Sequence, residues 1–291
     1  MQAGDYGLTV HPHGVVLRSD RRVRAVTEHG EVVAVPLPGG GGKRGSIGSF
    51  SRGSQRNLAM KAANVPAVFS SLLTLTYHGL ALPGEQEDVR NLRIARRAKR
   101  DLNRFLSSTR RKLGRYLWVM EFQRRGVVHF HALCERELVA ERMALAWCRA
   151  TGELGDLSAM KHSVRVDVVR DQMAARSYVG RYLGKVDQKN LPPGIDRAGR
   201  WWGSSRGLRL VIVDSVLTCE AGSAATHSAG VRTLRVLRRW LSRQLGWKFR
   251  GGRFVSWGDR LIPRLHAAVL ELRAFYGASE PWGTEAGEVS S

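Results

Sequence analysis

The sequence predicts an α+β protein, an antiparallel sheet with helices packed on it, followed by a basic C-terminal accessory region. The main observation is the order of its periodic segments: strand, helix, hairpin, helix, strand, helix, strand. Another is the hairpin in the middle, where Tyr116–Phe122 turns through Gln123-Arg124-Arg125-Gly126 and returns as Val127–Cys134. The 291 residues are also 43% hydrophobic, which is enough to bury a real core.

Residues 1 to 64 read as a flexible basic appendage. Gly39 to Ser46 has linker composition, and Val32-Val33-Ala34-Val35 is short enough for no more than a small hairpin. Residues 65–215 form the main domain. Phe69–Tyr77 is rich in β-branched and apolar residues and reads as a strand. Glu85 to Leu113 is a long basic helix with Leu92, Ala95, Leu102 and Leu106 at near-helical spacing. After the hairpin comes a helix over Glu137–Ala150, then an alternating strand over Val164–Val169. Asp171 can cap the next helix, which ends near Gly184, and Arg209–Val213 is a last strand. Residues 216–280 read as a helix, a hairpin with a Gly251-Gly252 turn and a helix, suited to DNA binding. Residues 281–291 read as a disordered tail.

Lys and Arg total 47 against 25 acids, a net charge of +22. The isoelectric point is about 11.2. A polyanion, most simply nucleic acid, is the partner this implies. Cys134, Cys148 and Cys219 fit neither a disulfide framework nor a zinc knuckle, which points to a reducing cytoplasm. The first residues lack the pattern of a signal peptide, and no apolar run reaches membrane-spanning length. A cytoplasmic protein with no membrane partner is expected.

Two segments carry chemistry. His129 and His131 flank Phe130 on a strand, so their imidazoles project from one face. A divalent metal needs a further ligand, and Glu121 is an acid in an apolar strand where a lone carboxylate is costly to bury. Register decides whether it can serve. An odd hairpin loop, such as one pairing Glu121 with Val127, puts it on the histidine face, and an even loop does not. The competing reading of the two histidines is a polar face on an edge strand. A second such pair, His11-Pro12-His13, is read that way because of its proline and glycine neighbours.

The other segment is Tyr178-Val179-Gly180-Arg181-Tyr182-Leu183-Gly184-Lys185. On a helix, Tyr178, Arg181, Tyr182 and Lys185 share a face beside an apolar stripe of Ala175, Val179, Leu183 and Val186. A tyrosine hydroxyl has an ordinary pKa of about 10 and attacks a phosphodiester only with help from a metal or a nearby cation. Paired tyrosines with such a cation suit that attack, whereas a single tyrosine is more often part of a core edge.

These residues resemble the HUH endonuclease superfamily, and within it the rolling-circle replication initiators of small phages and plasmids. Leu73–Tyr77 is similar to their first motif, Gly126–His131 to the metal motif, and Tyr178–Lys185 to the two-tyrosine nucleophile motif. Trp202–Gly207 is similar to a segment that follows it. The resemblance covers about residues 69 to 215. It implies a ferredoxin-like or RRM-like sheet and Mg²⁺ or Mn²⁺ held by His129, His131 and Glu121. It also implies nicking of single-stranded DNA at an origin to leave a 5′-phosphotyrosine and a free 3′-hydroxyl. Tyr182 is then the first nucleophile, Tyr178 the second, and Lys185 the cation at the phosphate.

Arg181, Arg96, Arg97, Arg100, Arg104, Trp202 and Arg206 are candidate DNA contacts. A solvated basic face and core packing of the tryptophan are the plainer alternatives. Arg235, Arg238, Arg239 and Arg243 suit flanking duplex or an origin hairpin. No P-loop motif occurs, so a host helicase and polymerase in a bacterial cell would be partners. The rival readings are a single-strand transposase of the same chemistry, a non-enzymatic basic DNA- or RNA-binding protein, and a non-cutting repressor derived from an initiator.

Overall fold

A computed structural model describes residues 5–20, 22–26, 32–36, 49–78, 82–123, 126–183, 191, 193–195, 199–211, 214–218, 239, 242–243 and 253–255. The chain divides into two compact units, one of residues 1–43 with 211–291 and one of residues 44–210.

The first unit opens with β1 (Asp5–His11), β2 (Gly14–Asp20), β3 (Arg22–Val26) and β4 (Val32–Pro36). The second runs α1 (Arg52–Asn64), β5 (Ser71–Thr76), α2 (Glu87–Leu113), β6 (Tyr116–Phe122), β7 (Val128–Cys134), α3 (Ala140–Thr151), α4 (Leu157–His162), β8 (Val164–Val168), α5 (Gln172–Ser177), a π turn over Tyr178–Tyr182 and β9 (Trp202–Ser204). Strands β10 (Asp214–Thr218) and β11 (Arg253–Val255) complete the first unit. No helix among the described residues is long and apolar enough to cross a membrane.

The second unit holds the predicted sheet. Its five strands lie in the order β8-β5-β7-β6-β9, and every neighbouring pair is antiparallel. Without β9, the chain path strand-helix-strand-strand-helix-strand with β5 and β7 at the centre is the ferredoxin-like arrangement. The α+β expectation therefore holds.

Helix α2 forms because its apolar positions recur at helical spacing. Ile94, Ala98, Leu102, Phe105, Thr109 and Leu113 are buried, and most arginines lie outside that stripe. Glu87 and Asp88 in the first turn, and Arg110, Arg111 and Lys112 in the last, complement the helix dipole. The helix stops at Gly114, whose φ of 69° is a conformation few other residues adopt.

Alternation along the strands divides the sheet into two faces. Leu73, Leu75, Trp118 and Phe130 face α2 and α3. Trp147 of α3 is fully buried there, with its ring centroid 5.7 Å from Phe105, 6.1 Å from Phe130 and 5.3 Å from Tyr77. Behind it, Asp101 is buried, accepts from Arg97 at 2.7 Å and from the Tyr77 hydroxyl at 3.1 Å. The opposite face carries Thr74, Thr76, Glu121, His129 and His131. Helix α1 and the α5–π segment lie on that side: Trp202, opposite Val119, donates its indole N–H to Ser54 of α1 at 3.0 Å.

Several expectations need correction. Arg52–Asn64 is not irregular: it is a helix capped by Ser51, and it packs against α5 and the π turn, so it belongs to the sheet unit. Short strands also occupy much of residues 5–36. Arg209–Val211 is not strand; the strand comes later, at Asp214–Thr218, where it pairs with β1 and so belongs to the first unit. The boundaries thus fall at 43/44 and 210/211 rather than at 64/65 and 215/216. Helix α4, capped by Asp156, and the short edge strand β9 were not expected. The helices expected over Val231–Gly246 and Leu261–Tyr276 lie almost wholly outside the described residues, as does the tail. Of the expected C-terminal hairpin, Arg253–Val255 is described, as a strand paired with β2.

Strand β9 docks because Gly203 has no side chain. A Cβ at that position would lie 2.9 Å from the Trp118 indole. Gly203→Ala should therefore push the strand or the indole aside, at a cost of about 1–3 kcal/mol. The check is a lowered unfolding midpoint in urea at unchanged slope.

Candidate metal centre and tyrosine segment

The site begins with the β6–β7 hairpin. Glu121 pairs with His129 and Phe122 with Val128, which leaves an odd loop. The loop closes with Gly126 N–H donating to the Gln123 carbonyl at 2.8 Å, and Gly126 has φ of 79°. The odd loop required for a metal site is present, with Glu121 opposite His129 rather than Val127. Both histidines and the glutamate therefore share the face that α2 and α3 leave uncovered.

The three side chains converge. Glu121 Oε1 lies 3.0 Å from His131 Nε2, and one ligand atom from each of Glu121, His129 and His131 falls within 4.8 Å of the others. His131 is buried, while Glu121 and His129 are half-buried. Two imidazoles and a carboxylate at this separation can hold a divalent cation and leave positions for water and substrate. The second pair behaves differently. Pro12 and His13 form the β1–β2 turn, and the buried His11 ring lies 2.5 Å from the Val211 carbonyl through Nδ1, a structural contact.

The tyrosine segment is anchored from both ends of a short helix. Asp171 caps α5 by accepting from Met173 N–H at 2.9 Å and Ala174 N–H at 3.0 Å, as the sequence indicated. The Gln172 amide exchanges two hydrogen bonds with the Phe69 backbone, at 2.8 and 2.6 Å. Arg176 donates to the carbonyls of Ala63 and Ala67 at 3.1 and 2.7 Å, and its guanidinium lies over Phe69. Burial lowers its pKa below the usual arginine range. These contacts fasten α5 to the end of α1 and the approach to β5.

The expected continuous α-helix does not persist. After Ser177 the backbone widens, and Leu183 N–H donates to the Tyr178 carbonyl at 3.0 Å, five residues back. Val179 and Leu183 are buried as the apolar stripe requires, and Ala175 is half-buried. Tyr178 stands beside the metal centre, its ring centroid 6.4 Å from that of His131 and nearly perpendicular to it. Tyr182 closes the π turn. Its side chain, Val186 and Lys185 lie outside the described residues.

The candidate DNA contacts separate into groups. Arg96, Arg100 and Arg104 are exposed on α2, and Arg100 and Arg104 line an open groove with Asn103, Ser107 and Ser108. This helix covers the face opposite the histidines. Arg97 turns inward: besides Asp101, it donates to the Thr151 carbonyl at 2.5 Å. Arg181 and Arg206 are exposed. Trp201 is buried against Phe50 and Phe122, whereas Trp202 is half-buried on the histidine face.

The residues that sequence reasoning passed over come from β5 and β8. Thr74 and Thr76 were read only as part of a strand, yet their hydroxyls touch the histidine rings. Arg165 pairs with Thr74 on the same face, with its side chain 78% exposed. Its pKa is raised, first by the hydrogen bond to Asp167 and to a lesser degree by Tyr178. The signal was the even spacing from each histidine to its partner across the sheet, which becomes readable only once strand order is known.

Residues 70–187 match a family of replication-associated proteins, the ORF2 family. Comparison with curated proteins and with solved structures gave no match. The matched segment holds β5, the histidine hairpin, Tyr178 and Tyr182, and it supports a replication-initiator family for this unit.

If Glu121, His129 and His131 bind a cation, Mn²⁺ should raise the thermal midpoint of the whole chain. At a concentration one hundred times Kd, the stabilisation is about 2.7 kcal/mol. His131→Ala or Glu121→Ala should abolish the rise in a calorimetric scan.

Proposed function

We propose that the unit of residues 44–210 is the nicking and joining endonuclease of a rolling-circle replication initiator of the two-tyrosine HUH type. The observation that carries this reading is the position of Tyr178 beside the Glu121–His129–His131 cluster, within a segment matched by a replication-associated family.

The substrate is single-stranded DNA at an origin. Mg²⁺ or Mn²⁺ would be held by Glu121, His129 and His131, and it supplies polarisation of the phosphate oxygens when bound. The tyrosine oxygen loses its proton and bonds to phosphorus. The bond to the 3′-oxygen breaks, and that oxygen takes up a proton. The products are a 5′-phosphotyrosine and a free 3′-hydroxyl from which a host polymerase can extend. Rejoining is the reverse: a 3′-hydroxyl attacks the phosphotyrosine and the tyrosine leaves. A second tyrosine allows a second cut before the first linkage is released, which is the use of having both Tyr178 and Tyr182.

Lys185 and Arg181 are proposed to face the phosphate, and Trp202 and Arg206 the unpaired strand, since all four belong to the segments bordering the histidine face. Arg96, Arg100 and Arg104 have a different task. They stand on the far side of the sheet, so they suit the phosphates of flanking duplex better than the strand being cut. A host helicase would open that duplex.

The test uses the full chain, labelled single strands from its replicon, and Mn²⁺ or Mg²⁺. A covalent protein–DNA adduct on a denaturing gel is expected, dependent on metal. Tyr178→Phe and Tyr182→Phe, made singly and together, should remove it in the double variant and identify the first nucleophile in the single ones. Tight binding without an adduct from any strand that contains the origin would favour a non-enzymatic binding protein instead.

A further inference from the structure

Two threonines of β5 stand against the two histidines of β7. The strands pair so that Thr74 is opposite His131 and Thr76 opposite His129. Thr74 Oγ1 lies 3.1 Å from His131 Nδ1, and Thr76 Oγ1 lies 2.8 Å from His129 Nε2. One ring nitrogen of each imidazole is thus engaged by a hydroxyl. In His131 the other nitrogen, Nε2, is the one that meets Glu121 at 3.0 Å.

An imidazole offers a lone pair to a cation from one nitrogen and carries its proton on the other. A hydroxyl oxygen placed at the second nitrogen accepts that N–H, fixes the tautomer and holds the ring in plane. With Thr74 at Nδ1, His131 presents Nε2. With Thr76 at Nε2, His129 presents Nδ1. The two rings offer opposite nitrogens although they stand on one strand.

The threonine oxygens are themselves held. The Thr76 N–H donates to the Ser163 carbonyl at 2.8 Å, and the Thr76 carbonyl accepts from the buried Trp147 indole at 2.6 Å. Thr74 lies in the middle of the sheet, paired with His131 on one side and Arg165 on the other. Both side chains are β-branched, which restricts χ1 and so fixes where each hydroxyl points.

We propose that Thr74 and Thr76 are positioning residues of the metal centre, whose hydroxyls accept the ring N–H of His131 and His129 and select the nitrogen that each presents to a divalent cation. The proposal rests on reading Glu121, His129 and His131 as a metal site.

The experiment titrates the full chain with Mn²⁺ alone in a calorimeter, for the wild type and for Thr74→Val, Thr76→Val, Thr74→Ser and Thr76→Ser. Valine keeps the branched shape and removes the hydroxyl, and serine restores it. The valine variants are expected to bind Mn²⁺ about 10- to 100-fold more weakly, with the serine variants close to wild type. Valine variants that bind as tightly as wild type would overturn the proposal. A wild-type chain that takes up no Mn²⁺ would remove the metal site itself, and the proposal with it, before any threonine is changed. A second measurement needs no variant. Long-range ¹H–¹⁵N spectra of the metal-free chain, taken where the imidazoles are neutral, should show the proton of His131 on Nδ1 and that of His129 on Nε2. The opposite tautomer at either ring would also overturn the proposal.

Discussion

The register of one hairpin governs everything on the histidine face. Side chains on a strand alternate with period two, so a loop longer or shorter by one residue between β6 and β7 would carry Glu121 to the α2 side. There its carboxylate would meet Trp118, Phe130 and Trp147 with no cation to pair with, at a considerable desolvation cost. The observed pairing of Glu121 with His129 avoids that cost and brings three ligand atoms together without any help from a flexible loop. The chemistry sits on paired strands, which hold position better than loops do.

The same strands carry core and site on opposite faces, so the two are not independent. Trp147 fills the middle of the core and at the same time fixes the Thr76 carbonyl, and Thr76 touches His129 from the other face. On the site face, Gln172 and Arg176 tie α5 to backbone groups near the start of β5, which fixes Tyr178 relative to the histidine strand. The tyrosine is supplied by one helix and the ligands by a hairpin, yet both are referenced to the same central strand.

Much of this was legible in the sequence. The strands β5, β6, β7 and β8 and the helices α2 and α3 follow from periodicity within a few residues at each end, because each has a strong apolar pattern and clear punctuation. The cap at Asp171 was legible for the same reason. Helix α1 was not, since it buries alanines, one leucine and one methionine rather than a broad apolar stripe. The π turn was not, because nothing in Tyr178–Tyr182 distinguishes five residues per hydrogen-bonded turn from four. Of the site, the ligand set and the dependence on an odd loop could be derived from residues alone. The inward turn of Arg97 depends on Asp101, whose burial is a tertiary fact. The threonines depend on which strand lies beside β7, and local patterning does not contain strand order.

The division of the chain has a consequence for how the protein is made. Residues 44–210 form an uninterrupted unit, so all of its strands can find partners as soon as that stretch has left the ribosome. The other unit is assembled from both flanks. In its sheet of order β10-β1-β2-β11, Tyr6 of β1 faces Thr218 of β10, and Val16 of β2 faces Arg253 of β11. During synthesis, the β1–β2 hairpin therefore waits with two open edges while the whole histidine unit is translated and folded. Exposed edges are templates for pairing with other chains. The charged residues in this early hairpin, Asp5, Arg18 and Asp20 among them, stand where a nascent chain is most exposed to its neighbours on the polysome.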